Sequence, residues 1–240
     1  MNITENKTVA EVVTENIKTS HIFKKYGIDF CCGGGMTIDK ACKKKGVDFN
    51  ILAEELRHFD KPNDREDDFD NWSLSQLIDY IVAVHHSYVE ENIPLLLAYT
   101  DRVAKVHGHH YEEVIQIDTL FREVAKELSV HMKKEELILF PFIKKLVMAK
   151  TEHIALSQPH FGSVNNPIHM MEQEHEDAGD IFKTIALLSN NYAPPEGACN
   201  TFKALYDKLN EFEQDLHTHI HLENNILHPK AIVLEKAIRN

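Results

Sequence analysis

Apolar and polar positions divide the chain into a region of short helices and a region of long ones. Up to about residue 58 the apolar runs are brief, and each is bracketed by a start or a stop signal. Thr8 with Glu11 makes a capping box ahead of Val9-Ala10-Glu11-Val12-Val13. A second helix around residues 21–26 should stop at Gly27. Thr37 is placed to cap a third over Ile38 to Lys45, which Gly46 ends, and Asp48 a fourth from Phe49 to about Arg57. Residues 59–71 are charged, contain a proline and hold few apolar side chains, so they read as a linker that leaves the flanking parts free to move. Four long amphipathic patterns follow from Trp72. Ser73 or Ser75 caps the first; the second spans about 110–149, the third is centred on 168–185, and the fourth spans about 199–238. The expected fold is all-α, a small helical domain (1–58) joined by the linker (59–71) to an up-down four-helix bundle (72–240).

The second and fourth long helices repeat one pattern at an offset of 88 residues. His131 falls on His219, Glu135 on Glu223, Ile138 on Ile226, Leu139 on Leu227 and Pro141 on Pro229. Positions 117, 121, 124, 128, 131, 135 and 138 are spaced by three or four, so they line one inward stripe of a helix. The first and third helices repeat at an offset of 89, which pairs His86 with His175, Val89 with Ala178 and Ile93 with Phe182. An offset of 90 would use His85, but it sets Val82 against Glu172, so His86 is the histidine expected to face inward. The bundle therefore reads as two fused helix hairpins related by a pseudo-twofold.

Each hairpin contributes a histidine from its first helix and a His-x-x-x-Glu from its second. A carboxylate buried without a partner costs several kcal/mol, so a twice-repeated acid on an inward stripe calls for a cation. The inventory His86, His131, Glu135, His175, His219 and Glu223 suits two metal ions, with two imidazoles on each and both glutamates bridging. Nitrogen and oxygen donors without thiolates fit iron best, ahead of manganese or zinc. His107 is a candidate accessory ligand. His217, His221 and His228 are expected at the surface, the acidic run 172–177 on a solvated face, and Tyr88, Tyr99 and Tyr206 in packing roles.

A formal charge of −12 argues against nucleic acid or an anionic membrane as partner. No uncharged apolar run reaches the roughly 18 residues that span a bilayer. The start lacks the basic and apolar regions of a signal peptide, and four cysteines make no disulfide framework, which together suggest a cytoplasmic protein. Cys31 and Cys32 stand beside Gly33, Gly34 and Gly35 just before a helix start, where the helix dipole favours thiolate; they are candidates for metal transfer or redox work. Cys42 and Cys199 have no such setting.

Three motifs carry a resemblance over nearly the full length: Tyr26-Gly27-Ile28-Asp29-Phe30-Cys31-Cys32-Gly33-Gly34, the His131 to Pro141 segment with Glu174-His175-Glu176, and His219 to Pro229. In these the chain resembles the repair-of-iron-centres family, di-iron iron–sulfur cluster repair proteins with a hemerythrin-like domain. The resemblance implies two oxo- or hydroxo-bridged non-haem irons, His86, His131, His175 and His219 as terminal ligands, and Glu135 and Glu223 as bridges. It also implies repair of iron–sulfur clusters damaged by nitric oxide or peroxide through iron donation, with iron–sulfur proteins as clients and Cys31 and Cys32 matching the family's cysteine pair. Nitric oxide or nitrite reduction, or binding and sensing of O2 or NO, are the alternatives, and a homodimer stays open. The departures are the third glycine, Gly35, and His228 where the first repeat has Phe140.

Overall fold

The structure, a computed structural model, describes residues 2–59, 68–155 and 157–239. Most of the expected linker, residues 60–67, lies outside the described residues. The described residues are helical and contain no strand, with one isolated bridge between Thr8 and Thr37. The elements are α1 (Val9–Glu15), α2 (Ser20–Lys25), α3 (Ile38–Lys45), α4 (Phe49–Phe59), α5 (Leu74–Tyr80), α6 (Ser87–His107), α7 (Glu113–Lys134), α8 (Phe140–Glu152), α9 (Asn165–Leu188), α10 (Asn200–Leu222) and α11 (His228–Arg239). Three wider π-turns run without a break between them: Ile81–His86 joins α5 to α6, Glu135–Leu139 joins α7 to α8, and Glu223–Leu227 joins α10 to α11.

The chain forms two compact units. One gathers Met1–Asp79, Ile143–Asn165 and His217–Asn240; the other gathers Tyr80–Phe142 and Asn166–Leu216. In the first, the helix ends follow the local signals. The Thr8 hydroxyl accepts from the Glu11 amide at 3.2 Å while Glu11 accepts from the Thr8 amide at 2.7 Å, closing the capping box. Gly27 and Gly46 take positive φ at the ends of α2 and α3. Asp48 Oδ1 accepts from the amides of Asn50 and Ile51, and Ser73 pairs reciprocally with Gln76. Thr37 is the exception: its side chain caps nothing, because the backbone takes over. The amides of Ile38 and Asp39 donate to the carbonyls of Lys7 and Glu5, and those of Val9 and Ala10 donate back to Met36 and Gly34. The segments before α1 and α3 thus satisfy each other's orphan donors.

That exchange explains one glycine. A Cβ on Gly34 would meet the Phe30 carbonyl oxygen at 2.4 Å and the Ala10 side chain at 3.0 Å. Gly34→Ala should therefore destabilise the unit by about 1–3 kcal/mol, read from denaturant midpoints, since backbone must move to admit the methyl. Gly35 faces open space, so the extra glycine answers no steric demand there. Farther along, Glu235 is buried and accepts from Ser163 Oγ and the Val164 amide, which pins the turn ahead of α9.

In the second unit the core is aromatic. Phe212 of α10 packs edge-on to Phe121 of α7 (5.8 Å) and stacks on Phe182 of α9 (5.6 Å), with Tyr88 of α6 at 6.0 Å. One ring thus touches all three other long helices of the unit.

Candidate metal centre

The sequence stripe on α7 runs inward as expected through Phe121, Val124, Leu128, His131 and Glu135, all buried. It then departs from expectation. Ile138 is 43% exposed, and Leu139 at 1% takes its place. The departure falls within the π-turn Glu135–Leu139, and such turns gather at functional sites. The same turn recurs 88 residues on, beginning at Glu223. The third π-turn ends at His86. Each thus starts or ends on a candidate ligand.

In the unit built from α6, α7 and α9, the structure brings together His86, His131, Glu135 and His175, all at least 98% buried. Glu135 Oε2 lies 3.4 Å from His86 Nε2 and 3.3 Å from His131 Nε2. His131 Nε2 and His175 Nε2 are 2.9 Å apart, and ligand atoms of His131, Glu135 and His175 lie within 4.8 Å of one another. In the other unit His219 Nε2 lies 3.1 Å from Glu223 Oε1, again fully buried. Glu135 thus stands between two imidazoles that come from different helices.

Carboxylates behind the rings set their orientation. His131 Nδ1 lies 2.8 Å from Glu174, which Lys134 also holds, and His86 Nδ1 lies 2.8 Å from Glu136, which Lys133 holds. Where Nδ1 donates its proton to the carboxylate behind the ring, Nε2 is the nitrogen left to bind a cation, and Glu135 would meet the same cation from the other side. Two nitrogens held at a right angle by an ion about 2.1 Å away lie roughly 3.0 Å apart, close to the His131–His175 spacing. The donor set therefore fits a metal.

Glu136 and Glu174 were not singled out by the stripe. The signal available was that each adjoins a ligand in sequence, Glu136 after Glu135 and Glu174 before His175. The hydrogen bond from His131, followed by that from Lys134, outweighs desolvation and brings the Glu174 carboxyl down to about 2. For Glu136, burial pushes upward, but His86 and Lys133 prevail and the net shift is downward. A carboxyl depressed on folding stabilises above its unfolded value, near 4.5, and that contribution is lost as pH falls through about 2. The melting-temperature gap between metal-free wild type and Glu174→Gln should be full near neutrality and close progressively below pH 4.5; a gap independent of pH would contradict the assignment.

The run 172–177 is more than a solvated face. Glu174 and Asp177, with Glu123, Glu127 and Lys134, line a cavity of about 560 Å³ that reaches His131. Burial and the neighbouring Glu123, Asp177 and Glu174 charges raise the Glu127 carboxyl.

His85 is buried beside His86 but turns to Asp215 at 2.9 Å. His107 approaches Cys199 Sγ at 3.3 Å, at the far end of α6 from His86 and roughly 30 Å along the helix axis, so it is no accessory ligand. Tyr88 donates to Glu211, and Tyr206 is buried with its hydroxyl pushed up to about 12 by burial and Glu113. His221 and His228, expected at the surface, are fully buried, and His217 is half-buried. His228 occupies the repeat position of Phe140, which stacks on His86. His221 faces Thr14 and the Phe30 carbonyl, and burial lowers it to about 4, leaving the ring neutral.

All four cysteines are free. Cys31 is buried and donates to Asp29 Oδ1 at 3.3 Å. Its hydrogen bond with Cys32, burial and the Asp29 charge raise the thiol well above its ordinary value, the reverse of the lowering expected from the helix start. Cys32 is half-buried.

Comparison with known families covers both parts of the chain. Residues 5–60 match ScdA_N, described as a domain of unknown function, and residues 77–231 match the hemerythrin HHE cation binding domain. A Haemophilus influenzae protein named "Probable iron-sulfur cluster repair protein" is 35% identical over 88% of this chain and 90% of its own length. Proteins named "Iron-sulfur cluster repair protein YtfE" from Yersinia pseudotuberculosis and Yersinia pestis are each 33% identical over 95% of this chain and 97% of their own. No helix among the described residues is long and apolar enough to cross a membrane.

Proposed function

Because the chain belongs to the family of hemerythrin-type iron–sulfur cluster repair proteins, we propose that it restores iron–sulfur clusters damaged by nitrosative or oxidative stress by donating iron. His86, His131, His175 and His219 are the terminal ligands of two iron ions, and Glu135 and Glu223 bridge them. The observation that carries this reading is Glu135, buried between the Nε2 atoms of His86 and His131. Its repeat counterpart Glu223 is equally buried beside His219. When bound, iron supplies a reducible pair of cations whose ferrous form is labile. The chain's own part is to hold the imidazoles by Glu136 and Glu174, to keep the centre dry, and to offer an acid-lined opening next to His131. The domain division at 59–71, the client iron–sulfur proteins and a homodimer belong to the same proposal.

Anaerobic incubation of the ferrous protein with a [4Fe–4S] dehydratase inactivated by nitric oxide tests it. Recovered dehydratase activity with matching loss of iron from the donor is the expected result. Turnover of nitric oxide to nitrous oxide with iron retained would instead assign the chain a reductase role, and reversible uptake of O2 or NO alone a binding one.

A further inference from the structure

The thiol turn and the ligand-bearing segment of the last long helix belong to one compact unit. The positions 217, 221 and 225 leave that helix two residues away from 219 and 223, about 200° around the axis. The helix thus shows ligands on one face and His217, His221 and Asn225 on the other. That second face grips the turn. Asn225 Nδ2 donates to the Cys31 carbonyl at 3.1 Å and reaches the Phe30 carbonyl at 3.4 Å. His221 Nδ1 lies 3.3 Å from the same Phe30 oxygen, with Thr14 Oγ1 at 3.4 Å from its Nε2. The Phe30 ring sits edge-on to His217 at 5.9 Å and tilted on His221 at 6.1 Å. The internal repeat supplies the contrast. The counterparts of His217, His221 and Asn225 are Ser129, Lys133 and Leu137, all exposed, with Leu137 at 73%. The face has been specialised in one repeat only.

We propose that His221 and Asn225 are positioning residues that latch the Cys31–Cys32 turn to the helix carrying His219 and Glu223, so that filling the metal site and holding the turn closed reinforce each other. The element that couples them is the π-turn Glu223–Leu227, which begins at the ligand and contains Asn225. A π-turn holds one more residue than an α-turn, so its relaxation would rotate Asn225 away from the two carbonyls. An ion held by Glu223 fixes the turn, and a fixed turn keeps Asn225 in reach of Phe30 and Cys31. Closed, the latch leaves Cys31 buried. Open, it exposes the thiol when the site empties. The inference rests on the metal reading only for the ion's presence.

The test is the rate of iodoacetamide labelling of Cys31 and Cys32 in the full chain, resolved by mass spectrometry, without metal and after anaerobic loading with ferrous iron. The exposed Cys199 serves as the reference thiol. Loading should slow Cys31 labelling by about tenfold, and Asn225→Ala should bring the loaded-to-empty ratio to about one with helical content retained. By reciprocity, Asn225→Ala should weaken iron binding by a similar factor, read as the dissociation constant in a chelator competition at equilibrium. Equal Cys31 labelling in loaded and empty wild type, with iron bound, would overturn the coupling while sparing the metal reading. Failure to bind iron would sink the metal reading; the latch would then fall too if metal-free wild type and Asn225→Ala label alike. Should Asn225→Ala lose helical content, Thr14→Val, which removes only the hydroxyl beside His221, takes its place with the same expected direction.

Discussion

Glu135→Leu should lose about half or more of the bound metal without unfolding the chain. Glu135 is wholly buried, and its Oε2 faces both His86 and His131, so its removal takes the carboxylate donor away from both imidazoles at once. Leucine has nearly the same volume and carries no charge. In the metal-free state the change removes a buried carboxylate, and replacing buried charge by apolar bulk is often neutral or stabilising. One variant should therefore give two opposite readings: less iron by elemental analysis, and a metal-free melting temperature at or above wild type. Full iron retention would count against the bridge, and a large fall in the metal-free melting temperature would mean Glu135 serves packing instead.

Phe212→Ala should be the most destabilising core change, by about 3–5 kcal/mol. Its ring is fully buried, stacked on Phe182 and edge-on to Phe121, with Tyr88 alongside, so truncation opens a cavity bounded by three helices that cannot all close in. At about 2–4 °C per kcal/mol for a chain of this size, the melting temperature should drop by roughly 10 °C. Thermal unfolding followed by circular dichroism measures it. A drop of only a degree or two would show that the cluster is not the core of its unit.

Much of this architecture could be read ahead of the coordinates, because the signals were local. The Thr8–Glu11 box, the stops at Gly27 and Gly46 and the Asp48 cap depend on a few neighbouring residues, and all stand in the structure. Thr37 failed because its helix start is satisfied from residues 5 and 7, a contact that propensity does not encode. The stripe through His131 and Glu135 was legible because it recurs 88 residues later. Ile138 leaves the stripe within the π-turn, where a 3.6-residue period no longer holds, while its counterpart Ile226 stays buried in the same turn, so its exposure depends on what packs there as well.

Histidine was the hardest residue to place. Their places on helix faces other than that of the ligands put His221 and His228 outside, whereas His221 is buried against the N-terminal segment through Thr14 and Phe30, a pairing some two hundred residues apart in sequence. The carboxylates behind the ligands were overlooked for a related reason. Glu136 and Glu174 are only half-buried, so no inward stripe includes them, and their role shows only in the distance to an imidazole Nδ1. Cys31 shows the limit of arguing from one effect: a helix start lowers a thiol, but burial and the adjacent Asp29 charge act the other way and win.

The central claim is that buried imidazoles and glutamates sit where they do because cations lie between them. The most direct measurement is the iron-to-protein ratio, with a Mössbauer spectrum, on anaerobically purified protein. Two irons per chain with the spectrum of a coupled non-haem pair is the predicted result. Fully folded protein that purifies without metal and takes up none on reconstitution with ferrous iron would contradict it.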